Sequence, residues 1–197
     1  MINIPSPRTS SEGSRPVLRV GRIEDLAYVS DLRSGALIDR DGSISWMCWP
    51  RFDSPAHFAA LLGTEKHGVW RIGPAGPSGQ PSRPADRRRY TNGTLILESS
   101  WLTPNGTVQL VDFMAVTGDD GALCLVRIVR GVSGRVPVRS TLRARPGYGR
   151  PNQNPGRPQV HTSGRRSVAA QGDGRLWLDT QAPCREDGPD IVSEFTV

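Results

Sequence analysis

The segment Asp41 to Pro55, "DGSISWMCWPRFDSP", places Trp46, Cys48, Trp49, Arg51, Phe52 and Asp53 within eight residues of a chain poor in aromatic side chains. Such a set could handle a sugar. Aromatic rings stack on the apolar C–H faces of a pyranose. Arginine and aspartate hydrogen-bond vicinal hydroxyls with charge assistance. Trp49, Arg51, Phe52 and Asp53 are therefore the candidate residues of a substrate-binding or interdomain loop. The same residues also fit plain architecture. In an extended segment Trp46 and Cys48 share one face and Met47 and Trp49 the other, which places Trp46 in a core. Pro50 ends the strand, and Asp53 or Ser54 caps the next element.

Other chemistries find little support. The cysteines, Cys48, Cys124 and Cys184, include no CxxC pair, and with His57, His67 and His161 they form no metal-ligand spacing. Neither a metal nor a cofactor is expected, and nothing suggests a Cys–His nucleophile pair. The net charge is +6, almost all of it arginine, since Lys66 is the single lysine. The arginines are scattered along strand-like segments without the aromatic-basic motif of an RNA-binding sheet, so a nucleic-acid partner is not expected. The run Arg87-Arg88-Arg89 reads as a solvated loop end. No apolar run approaches the roughly 18 residues of a membrane span. Residues 1–21, "MINIPSPRTSSEGSRPVLRVG", lack an apolar signal core and read as a disordered lead. A cytoplasmic protein without a membrane partner is the expectation.

The elements that must carry the aromatic segment are strands. Gly 22 and Pro 17 are high for 197 residues, which suits a chain of many turns. Asp41-Gly42, Asn92-Gly93, Asn105-Gly106, Ser133-Gly134 and Asp173-Gly174 mark turns, since these pairs tolerate positive φ. The expected hairpins join 36–39 to 43–49, 94–102 to 107–116, 122–132 to 135–145 and 165–171 to 175–181, with a further strand over 191–197. Val136, Val138 and Leu142 share one face of their strand while Arg135, Arg139, Arg143 and Arg145 occupy the other, a period of two. One short helix is expected over 54–63, with Ser54 as N-cap, Pro55 at its first position, Gly63 as its stop and Phe58, Leu61 and Leu62 on one apolar face. Residues 73–89 and 146–158 read as loops. The fold class is all-β: an antiparallel β-sandwich with that one helix.

"RIEDLAYVSDLRSGALIDRDGSISWMCWPRFDSPAHFAALLG", followed in order by "HGVWRIGPAG", "RRYTNGTLILES", "TVQLVDFM" and "LVRIVRGVSGRVPVRSTLRAR", resembles the start of bacterial trehalases and glucoamylase-like enzymes of glycoside hydrolase family fifteen. The resemblance extends over residues 22–197. It implies an N-terminal β-sandwich domain there, cut short at its C-terminal end before the helical barrel that carries the family's two catalytic glutamates. Such enzymes act with inversion, through two carboxyl groups about 6.5–9.5 Å apart. Glu12, Glu24, Glu65, Glu98, Glu186 and Glu194 lie outside any setting of that kind, so no catalytic residue is assigned and the chain alone is expected to be inactive. The implied partners are the missing barrel and, in a complete enzyme, a glucoside such as trehalose. The sequence departs from the family pattern at Leu26, where a tyrosine is usual, at Ser45, where an aspartate is usual, and at Pro146. The other reading is a free-standing carbohydrate-binding module. That reading needs an exposed aromatic platform, whereas Trp70, Trp101 and Trp177 lie in strand patterns that suit a core.

Overall fold

The computed structural model describes residues 22–76, 83–117, 122–149, 158–163, 166–171 and 176–197. The expected disordered lead, the Asp173-Gly174 turn and parts of both expected loops lie outside these residues.

The strands are β1 (Ala27–Ser30), β2 (Gly35–Ile38), β3 (Ser43–Cys48), β4 (Ala56–Phe58), β5 (Val69–Pro74), β6 (Arg87–Tyr90), β7 (Leu97–Thr103), β8 (Gly106–Ala115), β9 (Cys124–Gly134), β10 (Pro137–Arg143), β11 (Gln159–Ser163), β12 (Arg166–Gln171), β13 (Leu176–Thr180), β14 (Cys184–Asp187) and β15 (Asp190–Thr196). The large sheet runs β1-β2-β3-β5-β10-β15-β14, with β4 also beside β3. A second sheet runs β6-β7-β8-β9 and a third β11-β12-β13. Every pairing is antiparallel.

Alternation explains how the first two sheets meet. Leu97 and Trp101 of β7, and Val108, Leu110 and Met114 of β8, are buried, as are Ile44, Ile72, Val138, Leu142 and Ile191 of the large sheet. They form two adjoining apolar clusters between the sheets. Val136, Val138 and Leu142 point inward as their period of two requires. On the opposite face of β10, Arg139 pairs with Glu194 at 2.6 Å, and Arg143 grips Asp190 through two bonds of 2.5 and 2.7 Å. The third sheet reaches the main cluster through Val160, Leu176 and Leu178.

Gly42 shows why the β2–β3 turn needs glycine. Its φ is +80°, and a Cβ there would lie 2.2 Å from the Ile72 carbonyl oxygen. The Gly42 carbonyl takes a 2.6 Å bond from Arg127 of β9. Arg127 also bonds Asp112 at 2.8 Å and the Trp70 carbonyl at 2.8 Å, and its guanidinium carbon lies 4.9 Å from the Trp70 ring centroid. One charged side chain thus ties β8 and β9 to β5 and the β2–β3 turn.

Several expectations need correction. Residues 54–63 are not one helix. β4 is extended and pairs with β3, and only Ala60–Leu62 form a 3-10 turn. β9 and β10 are not a hairpin: β9 pairs with β8, whereas β10 lies in the other sheet between β5 and β15, so Ser133-Gly134 leads a crossover between layers. Arg87–Arg89 are strand β6 rather than a loop end. Arg88 turns inward to the Ile38 carbonyl at 3.2 Å, and Arg89 pairs with Glu98 at 2.8 Å. Trp46 is not in the main core. Met47 takes that place, while Trp46 lies over the small cluster of Cys48, Ala56 and Ala59 with its ring 5.8 Å from that of Tyr148.

Candidate functional site

The β1–β2 turn is fixed by its own polar side chains. Asp31 is almost fully buried, and its Oδ1 accepts the amides of Arg33 at 3.0 Å and Ser34 at 2.9 Å. Its Oδ2 accepts Arg33 Nε at 3.2 Å. Ser30 Oγ accepts the Leu32 amide at 3.0 Å and donates to the Ser34 carbonyl at 2.7 Å. Short Ser and Asp side chains favour turns because they capture nearby backbone groups in this way. Between these anchors Leu32 adopts φ +72° and is 82 % exposed. A left-handed backbone costs a non-glycine residue about 1–2 kcal/mol. The turn therefore holds an apolar side chain out into solvent at a cost.

The segment after β3 comes to the same place. Ser34 Oγ donates to the Cys48 carbonyl at 2.6 Å, and the Phe52 amide donates to the Arg33 carbonyl at 3.0 Å. The chain passes through a cis Trp49–Pro50 bond into a turn closed by Ser54 N–H to the Arg51 carbonyl at 3.1 Å. Ser54 Oγ accepts the Arg51 amide at 3.2 Å, so Ser54 serves this turn instead of capping a helix. The two loops enclose an open cleft of about 300 Å³ lined by Leu32, Arg33, Arg51, Phe52 and Asp53.

Charge in the cleft is paired. Arg51 Nε lies 3.0 Å from Asp53 Oδ1 with both side chains exposed, and it holds the Asp53 carboxyl below its ordinary pKa. Arg33 Nη2 reaches Thr117 Oγ1 at 2.8 Å beyond the end of β8. Asp53 is the one carboxylate among the lining residues. The cleft thus presents two apolar side chains, Leu32 and half-exposed Phe52, beside two arginines and a carboxylate.

Of the four residues singled out in the sequence, Arg51, Phe52 and Asp53 lie together in the cleft. Trp49 does not join them, being half-buried against the main core. Leu32 and Arg33 were missed. The pattern Ser30-Asp31 with Ser34-Gly35 marks a turn in the sequence, but not that a leucine would occupy its left-handed position. If Leu32 is held out for contact, Leu32→Gly should leave the fold intact and raise the urea midpoint, with stability increased by up to about 1 kcal/mol. A lowered midpoint would mean that Leu32 contributes packing.

Cys48 is buried, which pushes its thiol pKa up; Cys124 is exposed and Cys184 half-buried. Among the described residues no group of three His, Cys, Asp or Glu side chains is placed to hold a metal ion. No helix among them is long and apolar enough to cross a membrane.

Comparison with known proteins gives a consistent set of relatives. The family described as "Trehalase-like, N-terminal" matches residues 17–161. Trehalase of Mycobacterium tuberculosis is 40% identical over 94 residues, 48% of this chain and 13% of that protein. Trehalase of Mycolicibacterium smegmatis is 38% identical over 94 residues, with the same coverage. Trehalase 1 of Sulfolobus acidocaldarius is 29% identical over 111 residues, 55% of this chain and 17% of that protein. The chain therefore matches only a small part of each relative's length. No solved structure matches.

Proposed function

Because the chain belongs to the trehalase-like N-terminal family, we propose that it is the non-catalytic sandwich module of an α-glucoside hydrolase of the trehalase or glucoamylase type. In that role it packs against a helical-barrel catalytic domain and offers the Arg51–Asp53 loop, with Leu32, to that domain or to the edge of its sugar pocket. The observation that carries this reading is the convergence of the two loops, their backbones hydrogen-bonded together, on two exposed apolar side chains rimmed by paired charges. A non-catalytic role is supported by the carboxylates. Inversion needs two carboxyl groups about 6.5–9.5 Å apart across a sugar. The cleft offers Asp53, tied to Arg51, while neighbouring Asp31 is buried and committed to the turn. Trehalose is the proposed substrate of a complete enzyme, by similarity to relatives that are named trehalases.

One observation favours the second reading, a free-standing carbohydrate-binding module. Trp177 of β13 is 64 % exposed, contrary to its expected core role. A single experiment separates the readings. The purified chain is assayed for hydrolysis of trehalose and maltose, then titrated with both sugars while tryptophan fluorescence is followed. The proposed role predicts no turnover and no saturable binding by the isolated chain. Turnover above background would overturn the non-catalytic assignment. Saturable binding abolished by Trp177→Ala would establish the second reading in its place.

A further inference from the structure

The chain contains two Asn-Gly dipeptides, Asn92-Gly93 and Asn105-Gly106, and each is followed by threonine. Asn-Gly is the pairing most open to intramolecular attack, because glycine places no side chain in the way of its own amide nitrogen. The two sites share their following residues, so any difference in reactivity between them comes chiefly from the fold.

The fold treats them differently. Asn92 and Gly93 are the central residues of a turn closed by Thr94 N–H to the Thr91 carbonyl at 3.0 Å. Both are exposed. Gly93 has φ +68°, and a Cβ there would meet nothing within 4 Å. Among the described residues no hydrogen bond holds the Asn92 side chain or the Gly93 amide. The Asn105 backbone, by contrast, is pinned on both sides. Its amide donates to Thr103 Oγ1 at 3.3 Å, and its carbonyl accepts the Arg135 amide at 2.9 Å. Gly106 opens β8, paired with Thr103 on one side and Gly134 on the other. Asn105 is exposed as Asn92 is, but a Cβ on Gly106 would lie 2.0 Å from the Ser133 carbonyl oxygen, so the fold crowds this peptide on the strand side and holds its backbone in the β8 ladder.

We propose that Asn92 is a site of spontaneous deamidation in the folded protein and that the fold protects Asn105. The Gly93 main-chain nitrogen, losing its proton, attacks Asn92 Cγ. The new N–Cγ bond closes a succinimide, and the Cγ–Nδ2 bond breaks to release ammonia, which carries the proton away. Water then adds to one of the two ring carbonyls, the bond from that carbon to the ring nitrogen breaks and the nitrogen regains a proton from the water, giving aspartate or isoaspartate at position 92. Either product adds a negative charge to the β6–β7 connection, and isoaspartate also adds a methylene to its backbone. The base of this loop stays closed through Thr91 N–H to the Ile96 carbonyl at 2.9 Å. Just before it, the Tyr90 hydroxyl accepts the Tyr28 amide at 2.7 Å and donates to the Tyr28 carbonyl at 3.0 Å, clamping β6 to β1. The modified chain therefore keeps its fold.

The test is to age the intact chain at mildly alkaline pH in heavy-oxygen water, folded and in urea, and cut it at Glu98, which lies between the two asparagines. Tandem mass spectrometry then locates the label residue by residue within each fragment, which gives the rate of uptake at Asn92 and at Asn105 apart from the other Asn and the Asp-Gly pairs of the chain. In the folded chain Asn92 should react at least about tenfold faster than Asn105, the ratio set by an opening cost of about 1.4 kcal/mol at the protected site. In urea the two rates should converge. Comparable rates in the folded chain, a faster Asn105, or reaction at Asn92 only after unfolding would each overturn the proposal. Asn92→Gln should abolish uptake at position 92 while leaving the urea midpoint unchanged.

Discussion

Arg127→Met is expected to lower stability by about 3–5 kcal/mol, the cost of breaking a buried ion pair from one side. Asp112 and Arg127 are 0% and 1% exposed. Burial pushes the Asp112 carboxyl pKa up, and the charge and hydrogen bonds of Arg127 oppose that shift. Without Arg127 the carboxylate has no compensating charge between the sheets. The carbonyls of Trp70 and Gly42 also lose a charged donor. Urea unfolding should show a lower midpoint with an unchanged slope, as expected when stability alone changes. The sign of the pH dependence comes from the raised native pKa. The native state then holds the proton more tightly than the unfolded chain, so this contribution is full below the unfolded carboxyl pKa of about 3.9 and is lost as pH rises through the native value. The deficit of Arg127→Met should therefore shrink on acidification. The double variant Asp112→Leu/Arg127→Met should recover much of the loss, because it removes the stranded charge. Recovery stays incomplete, since the two carbonyls remain without their donor. A single variant as stable as the wild type would mean that water reaches Asp112.

Much of this architecture was legible because it is local. Val136, Val138 and Leu142 alternate with arginines, and the strand they predict is β10, with that face buried. Asp41-Gly42 and Asn105-Gly106 mark the turns that join β2 to β3 and β7 to β8. What was not legible is which sheet a strand joins. Ser133-Gly134 carries the same local signal as the true hairpins, yet β9 and β10 part there into different layers. That choice rests on distant partners: Arg127 of β9 needs Asp112, while β10 pairs between Ile72 and Ser193 at Ser140. The site divides in the same way. Arg51, Phe52 and Asp53, which line the cleft, were singled out because polar and aromatic residues come directly after a strand end. Leu32 was missed because its exposure depends on hydrogen bonds that backbone amides donate to Ser30 and Asp31, which no periodicity reveals. Trp49 shares the composition of the loop but packs against the core, so the aromatic density of the segment is split between scaffold and cleft.

Phe58→Ala and Leu62→Ala should separate the observed strand from the expected helix. A helix over 54–63 would put Phe58, Leu61 and Leu62 on one buried face, and either truncation would then be costly. In the structure Phe58 is 1% exposed, lies opposite Met47 in the main core and belongs to β4, whereas Leu62 is 70% exposed. Phe58→Ala should therefore cost about 3–5 kcal/mol. Leu62→Ala should change stability by no more than about 0.5 kcal/mol. The reason the segment extends lies in β3. On the side away from β2, β5 pairs only with Ser43 and Ile44, so the second half of β3 would present an open edge. β4 covers it, with Ala56 opposite Cys48 and Phe58 opposite Met47. A helix this short gains little from its own hydrogen bonds, so pairing with a buried strand prevails. This pairing also bears on the cleft, because β4 fixes the far end of the Arg51–Ser54 turn. Phe58→Ala should therefore loosen Phe52 and Asp53 as well, seen as faster amide exchange at these residues than in Leu62→Ala. Equal losses in the two variants would restore the helix.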